Sequence, residues 1–378
     1  MPAPSIMFVA GDPSGDLHAS PIIQRLSIVL PGVRCFGIGG PAMQSVGFES
    51  LMRFEEFNRM GLWEVLVHLP FFLKAHKRLV TAMDSNRPKA LVCIDYPGLN
   101  IPLMKEAHKR GIPVVWYIVP QVWAWKKKRA ALLGKYASFI AVVFPFEVDF
   151  FNSYPAPISF VGHPLVEAIQ RRTTITGTSS LKTNNGSART LSLVPGSRRQ
   201  EVAAILPPMV KAAELLKRQY PYLEIFVSKC SGIPLELYQK SCAQKGIKVF
   251  EGPLRNLLDR THYAFVTSGT ATLETALAGV PMVIVYRTSP VTYLLLKRMI
   301  RVPYIGLPNI VANEKIVPEC IQQKAKGHAL AREMQRFIES PEYYEATIEK
   351  LSRLKGILGN KQPSVELAEK IASLAKII

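Results

Sequence analysis

The sequence is short of acidic residues, and none of its cysteines is paired at the spacing of a metal site. Its 28 aspartates and glutamates stand against 47 lysines and arginines, which leaves a formal net charge of +19. This balance favours an anionic partner, such as a nucleic acid, a phosphorylated ligand or an anionic membrane; a basic surface without a specific partner is the plain alternative. The five cysteines include no C-x-x-C pair. An odd number of cysteines without such a pair argues against a disulfide framework and a zinc site, and it favours a reducing cytosol.

Long hydrophobic runs are absent as well. The longest apolar stretch, at 62–73, is interrupted by Glu64, His68 and Pro70, whereas about 20 apolar residues are needed to cross a bilayer. We therefore expect a chain that does not span a membrane but is able to lie on one. The N-terminus runs into an apolar strand at 6–10 without a charged leader, so we expect no signal peptide.

Short apolar runs alternate with helix-like segments, a pattern typical of parallel α/β architecture. In the first half it predicts strands at 6–10, 33–38, 90–94, 113–118, 139–143 and 158–161. In the second half it predicts strands at 190–194, 223–228, 262–267 and 281–286. Because 378 residues exceed what one hydrophobic core usually supports, we predict two Rossmann-like domains in tandem, followed by C-terminal helices.

A polar stretch rich in Thr, Ser, Asn and Gly at 171–189 is the predicted boundary. It defines an N-terminal domain at 1–168 and a C-terminal domain at 190–340. The helices at 341–378 are expected to pack back on the protein. Two such domains leave a cleft, and open parallel sheets bind ligands at the carboxyl ends of their strands. The search for a site therefore narrows to the loops that follow strands.

Two loops of the first half meet this condition. GDPSGD at 11–16 is a tight turn before a helix, which suits an anion or a sugar; a turn with a helix cap is the alternative. Asp95 follows a predicted strand, where its carboxylate is placed to take a proton from an incoming hydroxyl. The alternative is that Asp95 caps the helix that begins near Pro97. His163, which also follows a strand, is interpreted as a structural residue.

The second half carries two loops suited to a nucleotide diphosphate. PGSRRQE at 195–201 combines a glycine turn, two arginines and a helix start, and arginine binds phosphate in bidentate geometry. A structural turn is the alternative. SGTATLE at 268–274 again enters a helix, and Glu274 is placed to accept hydrogen bonds from ribose hydroxyls. No D-x-D pattern occurs, so a metal gains no support, and Arg198 with the helix starts is expected to stabilise the leaving diphosphate.

Aromatic residues stand beside basic clusters in two places. The stretch at 62–73 is followed by Lys74, Lys77 and Arg78, which suits an interfacial segment on an anionic bilayer; core burial is the alternative. Trp123 and Trp125 precede KKKR at 126–129, where a solvated helix start is the alternative. Nucleic-acid binding ranks lower because no recognised fold signature accompanies these aromatics. The predicted membrane-contact residues are Leu62, Trp63, Leu66, Leu69, Phe71 and Phe72.

Taken in order, the motifs of this chain resemble the lipid-A-disaccharide synthase family over about residues 5–340. In the first half the resemblance is carried by GDPSGD, GIGGPAMQSVG at 37–47, MGLWEVL at 60–66, IDYPGLN at 94–100, VPQVWAWKKKR at 119–129, FPFE at 144–147 and VGHPL at 161–165. In the second half it is carried by LVPGSRRQEV at 193–202, TSGTATLE at 267–274, MVIVYR at 282–287, GLPNIVA at 306–312 and PECIQ at 318–322. The family's first loop more commonly reads GExSGD, so Asp12 stands in place of its glutamate.

The resemblance implies the GT-B architecture and an inverting reaction without a metal or cofactor. The donor would be UDP-2,3-diacylglucosamine and the acceptor the 6-hydroxyl of 2,3-diacylglucosamine 1-phosphate. Asp95 would be the catalytic base, with Arg198 near the donor. The implied acceptor contacts are Asp12, Ser14, Gly15 and Asp16. The implied UDP contacts are Gly196, Ser197, Arg198, Ser268, Gly269, Thr270, Glu274, Asn309, Glu319 and Gln322.

The resemblance also implies a cytoplasmic enzyme, peripheral on the inner face of the inner membrane and dimeric through its C-terminal region. The rival enzymes are a UDP-N-acetylglucosamine 2-epimerase and the transferase that forms lipid II, which share a GT-B-like architecture and a UDP-sugar. The rival from another class is a non-catalytic, basic protein that binds RNA or membranes.

Overall fold

The computed structural model describes residues 4–52, 54, 57, 69–120, 127–176, 189–243, 245–289, 293 and 303–375. The chain divides into two compact units. The first consists of Met1–Ala168 together with Leu358–Ile378, and the second of Ile169–Ile357. The C-terminal segment therefore belongs to the same unit as the N-terminal half of the chain.

The first unit is built on a parallel sheet of seven strands. These are β1 Ser5–Ala10, β2 Arg34–Ile38, β3 Glu49–Ser50, β4 Ala90–Ile94, β5 Val114–Tyr117, β6 Phe139–Val142 and β7 Ile158–Phe160. Their order is β3-β2-β1-β4-β5-β6-β7. Every residue of β1 and β4 is buried, because parallel strands carry helices on both faces of the sheet.

Eight helices belong to the described part of this unit or begin in it. They are α1 Pro13–Val29, α2 Pro41–Gln44, α3 Leu69–Asn86, α4 Pro97–Lys109, α5 Lys127–Tyr136, α6 Phe146–Phe151, α7 Pro164–Thr176 and, from the C-terminal segment, α15 Pro363–Leu374. Helices α1, α2, α4 and α15 have a proline in their first turn, where the missing N–H has no partner to lose.

The second unit is built on a parallel sheet of six strands. These are β8 Arg189–Val194, β9 Leu223–Lys229, β10 Ile247–Glu251, β11 Tyr263–Thr267, β12 Met282–Tyr286 and β13 Glu319–Ile321. Their order is β10-β9-β8-β11-β12-β13. The helices in the described part of this unit are α8 Arg199–Gln219, α9 Leu235–Cys242, α10 Leu254–Leu258, α11 Thr270–Leu277, α12 Leu307–Ala312, α13 Gly327–Glu339 and α14 Pro341–Ile357.

All ten strands predicted from apolar runs are present, and their ends agree with the prediction to within one residue. The prediction missed β3, β10 and β13, which are the outermost strands at their edges of the two sheets. The strand β10 has no fully buried residue, and β3 and β13 have only two and three residues. Edge strands of this kind lack the continuous apolar run that marks a buried parallel strand.

The last helix, α15, packs against α1 inside the first unit. Its first turn is held by the buried carboxylate of Glu167 on α7, which accepts hydrogen bonds from the Ser364 backbone N–H, at 3.1 Å, and from the Ser364 hydroxyl. Just before the helix, the Lys361 ammonium donates to the Phe160 carbonyl at 3.0 Å. The C-terminal helix is therefore fixed to the end of β7 and to α7 by polar contacts as well as by packing.

We expect Ser364→Ala to lower the free energy of unfolding by about 1.5–3 kcal/mol, because it removes a donor to a buried carboxylate. Urea titration followed by circular dichroism measures this change. Ser373, on the same helix, is exposed, so Ser373→Ala is the matched control and should stay within about 0.5 kcal/mol. Equal effects of the two substitutions would contradict the role given to Ser364.

No helix in the described ranges combines the length and the apolar character needed to cross a bilayer.

Candidate active site

The loop after β1 is shaped by its own carboxylates. Asp12 is the N-cap residue of α1, and its side chain accepts a hydrogen bond from the Gly15 N–H at 2.7 Å. Asp16 is buried, and its carboxylate accepts hydrogen bonds from the backbone N–H groups of Gly40, Ala42 and Met43 at 2.8–3.0 Å. Asp12 therefore caps the helix, as in the alternative interpretation of this loop. Asp16 stabilises the turn that leads into α2. Acceptor binding by Asp12, Ser14, Gly15 and Asp16 stays a prediction.

Two histidines with lowered pKa values lie near this loop. The Ser14 hydroxyl and His18 Nε2 are 3.1 Å apart, and burial lowers the pKa of His18 to about 4. Burial, with a smaller contribution from His18, lowers the pKa of His163 to about 3. His163 Nδ1 accepts the Leu165 N–H at 3.2 Å at the start of α7, and its ring lies 5.2 Å from that of Phe144. These contacts agree with the structural interpretation of His163.

Asp95 follows β4 in an unusual backbone conformation. Asp95 and Tyr96 both have positive φ angles, of 43° and 48°, a region in which a non-glycine residue is uncommon. Tyr96, not Asp95, occupies the N-cap position of α4. Strained residues of this kind cost about 1–3 kcal/mol each and cluster at functional sites.

The negative charge of Asp95 acts on Arg129, which the sequence places in the basic cluster at 126–129. Arg129 lies near the start of α5 and is half-buried. Burial lowers the pKa of its guanidinium, and the negative charge of Asp95 opposes that shift. The run KKKR at 126–129 is evident in the sequence, but the electrostatic interaction of its arginine with Asp95 depends on the tertiary structure.

If Asp95 acts as a base, Arg129→Met should move the acid limb of the kcat/KM profile to higher pH. Without the positive charge nearby, Asp95 takes up a proton more readily, and less of the enzyme has an ionised base at a given acidic pH. Kinetics across the acid range measure the shift. Lys128→Met removes an exposed charge next to it in the sequence and should leave the profile in place. An unmoved acid limb in Arg129→Met would count against an electrostatic interaction between Arg129 and Asp95.

The loop after β8 binds a carboxylate side chain of the same protein. The Glu201 carboxylate accepts the N–H groups of Ser197 and Arg198, each at 3.3 Å, and lies 3.0 Å from Arg198 Nη1. Gly196 has a φ of 118°, and a Cβ there would lie 2.7 Å from Glu201 Oε2, so only glycine suits this turn. Two amides and a guanidinium at the start of α8 thus converge on one anionic group.

This convergence was not predicted, although its signal is in the sequence. Glu201 stands three residues after Arg198, the N-cap residue of α8, and its carboxylate accepts the Arg198 N–H in the first turn of that helix. A carboxylate there uses the same donors that a phosphate oxygen would use. Arg198 has a side chain that is 70% exposed, so its guanidinium is accessible to a ligand.

The loop after β11 is open where a ligand would approach. Gly269 is the N-cap residue of α11 and has a φ of 149°, and a Cβ there would meet nothing within 4 Å. Thr270 is exposed, and Glu274 is half-buried one turn later. Burial raises the pKa of Glu274, and the charge of Arg255 opposes the rise. The Ser268 hydroxyl, in contrast, donates to the Ile305 carbonyl at 2.9 Å.

Three of the predicted UDP-contact residues, Glu319, Asn309 and Gln322, form hydrogen bonds with backbone groups of nearby segments. The Glu319 carboxylate accepts the N–H groups of Ile305 and Gly306 and the Asn309 side-chain amide, the last two at 2.9 Å. Asn309 Oδ1 accepts the Ile316 N–H at 2.9 Å. Gln322 exchanges two hydrogen bonds with the backbone of Thr288, both at 3.1 Å.

These bonds join segments that are far apart in the sequence. The structure brings Ser268 together with Glu319 and Asn309 through the segment 305–306, and it places Gln322 next to β12. Contact of these side chains with a nucleotide stays a prediction.

Of the predicted membrane-contact residues, the structure describes the side chains of Phe71 and Phe72. Leu62, Trp63, Leu66 and the Leu69 side chain lie outside the described residues. Phe71 and Phe72 are half-buried, with ring centroids 5.0 Å from Phe57 and 6.4 Å from Tyr96, respectively. These contacts are those of the core alternative, and they place an aromatic cluster beside the Asp95 loop. Membrane contact stays a prediction.

Within the described residues, no group of three or more His, Cys, Asp or Glu side chains is arranged to hold a metal ion.

Solved structures identify the fold. The UDP-GlcNAc 2-epimerase from Neisseria meningitidis bound to UDP-GlcNAc has a TM-score of 0.64 at 12% identity, covering 98% of this chain and 100% of its own. The calicheamicin glycosyltransferase CalG4 has a TM-score of 0.62 at 14% identity, covering 99% of both chains. At such low identity the likeness concerns the fold alone. With the two parallel sheets, it confirms the predicted GT-B architecture.

The sequence comparisons identify the family within that class. A family model described as lipid-A-disaccharide synthetase matches residues 6–375. A lipid-A-disaccharide synthase from Geobacter metallireducens is 38% identical over 361 residues, covering 95% of this chain and 94% of that protein. The chain therefore belongs to the lipid-A-disaccharide synthetase family and is a glycosyltransferase, as the resemblance implied.

Proposed function

We propose that this enzyme transfers 2,3-diacylglucosamine from its UDP derivative to the 6-hydroxyl of 2,3-diacylglucosamine 1-phosphate, with release of UDP. The observation that carries the donor half is the convergence of the Ser197 and Arg198 amides and the Arg198 guanidinium on one anionic group. The acylated sugars are supported by the family, whose members are named for the disaccharide of lipid A.

The reaction is a single displacement that inverts the anomeric carbon of the donor. The Asp95 carboxylate takes the proton of the acceptor 6-hydroxyl while the hydroxyl oxygen forms a bond to the anomeric carbon. The bond from that carbon to the diphosphate oxygen breaks, and its electron pair leaves with UDP. Arg198 and the amides at the start of α8 stabilise the negative charge that develops on the diphosphate.

The nucleotide is proposed to occupy the loops that follow β8 and β11. Its diphosphate takes over the donors that Glu201 now holds, and its ribose hydroxyls bond to the half-buried carboxyl group of Glu274. Gly269 leaves room for close approach of the ligand to the backbone. Asn309, Glu319 and Gln322 line this nucleotide wall and support its loops.

The acylated substrates call for a lipid surface, and the proposal includes peripheral binding to the cytoplasmic face of the inner membrane. It is supported by the net charge of +19 and by Leu73 on α3, which is 61% exposed and stands beside Lys74 and Lys77. Anionic lipids attract basic residues near such apolar side chains. A homodimer through the C-terminal region completes the proposal.

Mass spectrometry of the products tests the proposed reaction. The enzyme is incubated with UDP-2,3-diacylglucosamine and 2,3-diacylglucosamine 1-phosphate in mixed micelles, and the expected products are UDP and a disaccharide 1-phosphate. Omitting the acceptor should abolish UDP release. Absence of the disaccharide with both substrates present would overturn the proposal, and conversion of UDP-GlcNAc alone to its 2-epimer would establish the epimerase alternative.

A further inference from the structure

Asn100, a residue of the IDYPGLN segment to which the sequence analysis gave no role, lies directly beneath Asp95. It is in the first turns of α4 and is completely buried. Its side-chain Nδ2 donates to the Asp95 carbonyl at 2.8 Å and lies 3.3 Å from the carbonyls of Val9 and Ile94. One amide thus joins the ends of β1 and β4 to the backbone of the proposed base.

The chemistry of this pocket selects an amide nitrogen. Three carbonyl oxygens face the side chain, so the opposite orientation of the amide would place its oxygen against them. The Asn100 Oδ1 is buried and has no partner among the described residues. A buried carbonyl that is left without a donor costs free energy. Neither an ionised carboxylate nor an aliphatic side chain at position 100 would supply a donor to these three carbonyls.

The carbonyl at 2.8 Å belongs to a strained residue. Asp95 and Tyr96 both adopt left-handed backbone conformations, which persist only where the surroundings hold them in place. The Asp95 N–H is fixed by the Tyr117 carbonyl at 3.0 Å, and the Asp95 carbonyl is fixed by Asn100. Both backbone polar groups of Asp95 are therefore anchored, which sets the direction of its Cα–Cβ bond.

We propose that Asn100 is a positioning residue, which holds the Asp95 backbone in its left-handed conformation so that the carboxylate is aimed at the acceptor hydroxyl. The inference rests on the proposed function of Asp95 as the base. A base displaced by about 1 Å is expected to cost up to about 10²-fold in rate, so Asn100→Ala should lower kcat by about 10–100-fold. The KM for the UDP-sugar should change little, since the donor loops belong to the other unit.

A double-mutant cycle separates positioning from stability. Asn100→Ala is made in the wild-type enzyme and in Asp95→Asn, and kcat is normalised to UDP-binding stoichiometry from calorimetry. If Asn100 acts through Asp95, its replacement costs 10–100-fold in the wild type and less than about twofold in Asp95→Asn. An equal loss in both backgrounds would overturn the inference, and so would an unchanged kcat in the single variant.

Two further variants complete the design. Asn100→Leu nearly keeps the volume but loses the donor, and it should be at least as impaired as Asn100→Ala; wild-type turnover in it would refute the role of the donor. Leu103→Ala opens a cavity on the same helix, where Leu103 is fully buried, and should lower the melting temperature while kcat per binding site is kept. If Asn100→Ala does not fold, the cycle is run with Asn100→Ser, which is too short to reach the Asp95 carbonyl.

The cycle also distinguishes the failure of this inference from failure of the proposed function. Near-normal turnover in Asp95→Asn alone would refute the base itself. A defective Asp95→Asn together with an active Asn100→Ala would refute only the positioning role.

Discussion

Asp95→Asn is expected to lower kcat by about 10²- to 10⁴-fold, the usual contribution of a general base. The amide keeps the size and shape of the side chain but takes no proton from the acceptor hydroxyl. Asparagine is also one of the few residues that adopts the left-handed conformation readily, so the φ of 43° at this position does not oppose the substitution. The loss should therefore be chemical rather than structural.

Three measurements check this expectation. Steady-state kinetics give kcat, calorimetry with UDP tests whether the second unit is intact, and circular dichroism tests the fold. Asp84→Asn is the matched control, because Asp84 is an exposed carboxylate of the same unit that pairs with Arg110. Near-normal turnover in Asp95→Asn, or an equal loss in Asp84→Asn, would remove Asp95 from the mechanism.

Arg198→Ala is expected to lower kcat by about 10²- to 10³-fold and to weaken UDP binding, because a preorganised cation for the leaving diphosphate is lost. Arg198→Lys should recover only part of the activity, since an ammonium cannot form the bidentate contact of a guanidinium. The ion pair with Glu201 is exposed on the arginine side, and such pairs contribute at most about 1 kcal/mol. The stability of the protein should therefore change little.

The neighbouring arginine provides the control for net charge. Arg199 is also exposed and directly follows Arg198, so Arg199→Ala removes the same charge from the same loop. Competition of UDP with the donor substrate, measured for both variants, should show a large rise in the inhibition constant for Arg198→Ala only. A similar rise for both would mean that general electrostatics, and not the geometry of the loop, binds the diphosphate.

The sequence was sufficient to predict the positions of the buried strands and of the loops that follow them. β1 and β4 are continuous apolar runs because both faces of a central parallel strand are covered. The loops at 11–16, 95–100, 195–201 and 268–274 were predicted as candidate sites because ligands bind after such strands. The missed strand β10 lies at a sheet edge and is half-exposed, so no apolar run marked it.

The sequence by itself determined the fold class and the family and indicated the loops proposed to carry the site, because these depend on local patterns and on motifs in a fixed order. Only the tertiary structure decided what each side chain contacts. Asp16 bonds to a turn 24 to 27 residues away, and Asn100 reaches the carbonyl of Val9 across 91 residues. The return of α15 to α1 likewise joins the two ends of the chain. Contacts between distant segments form only when the sheets assemble, so no local pattern specifies them.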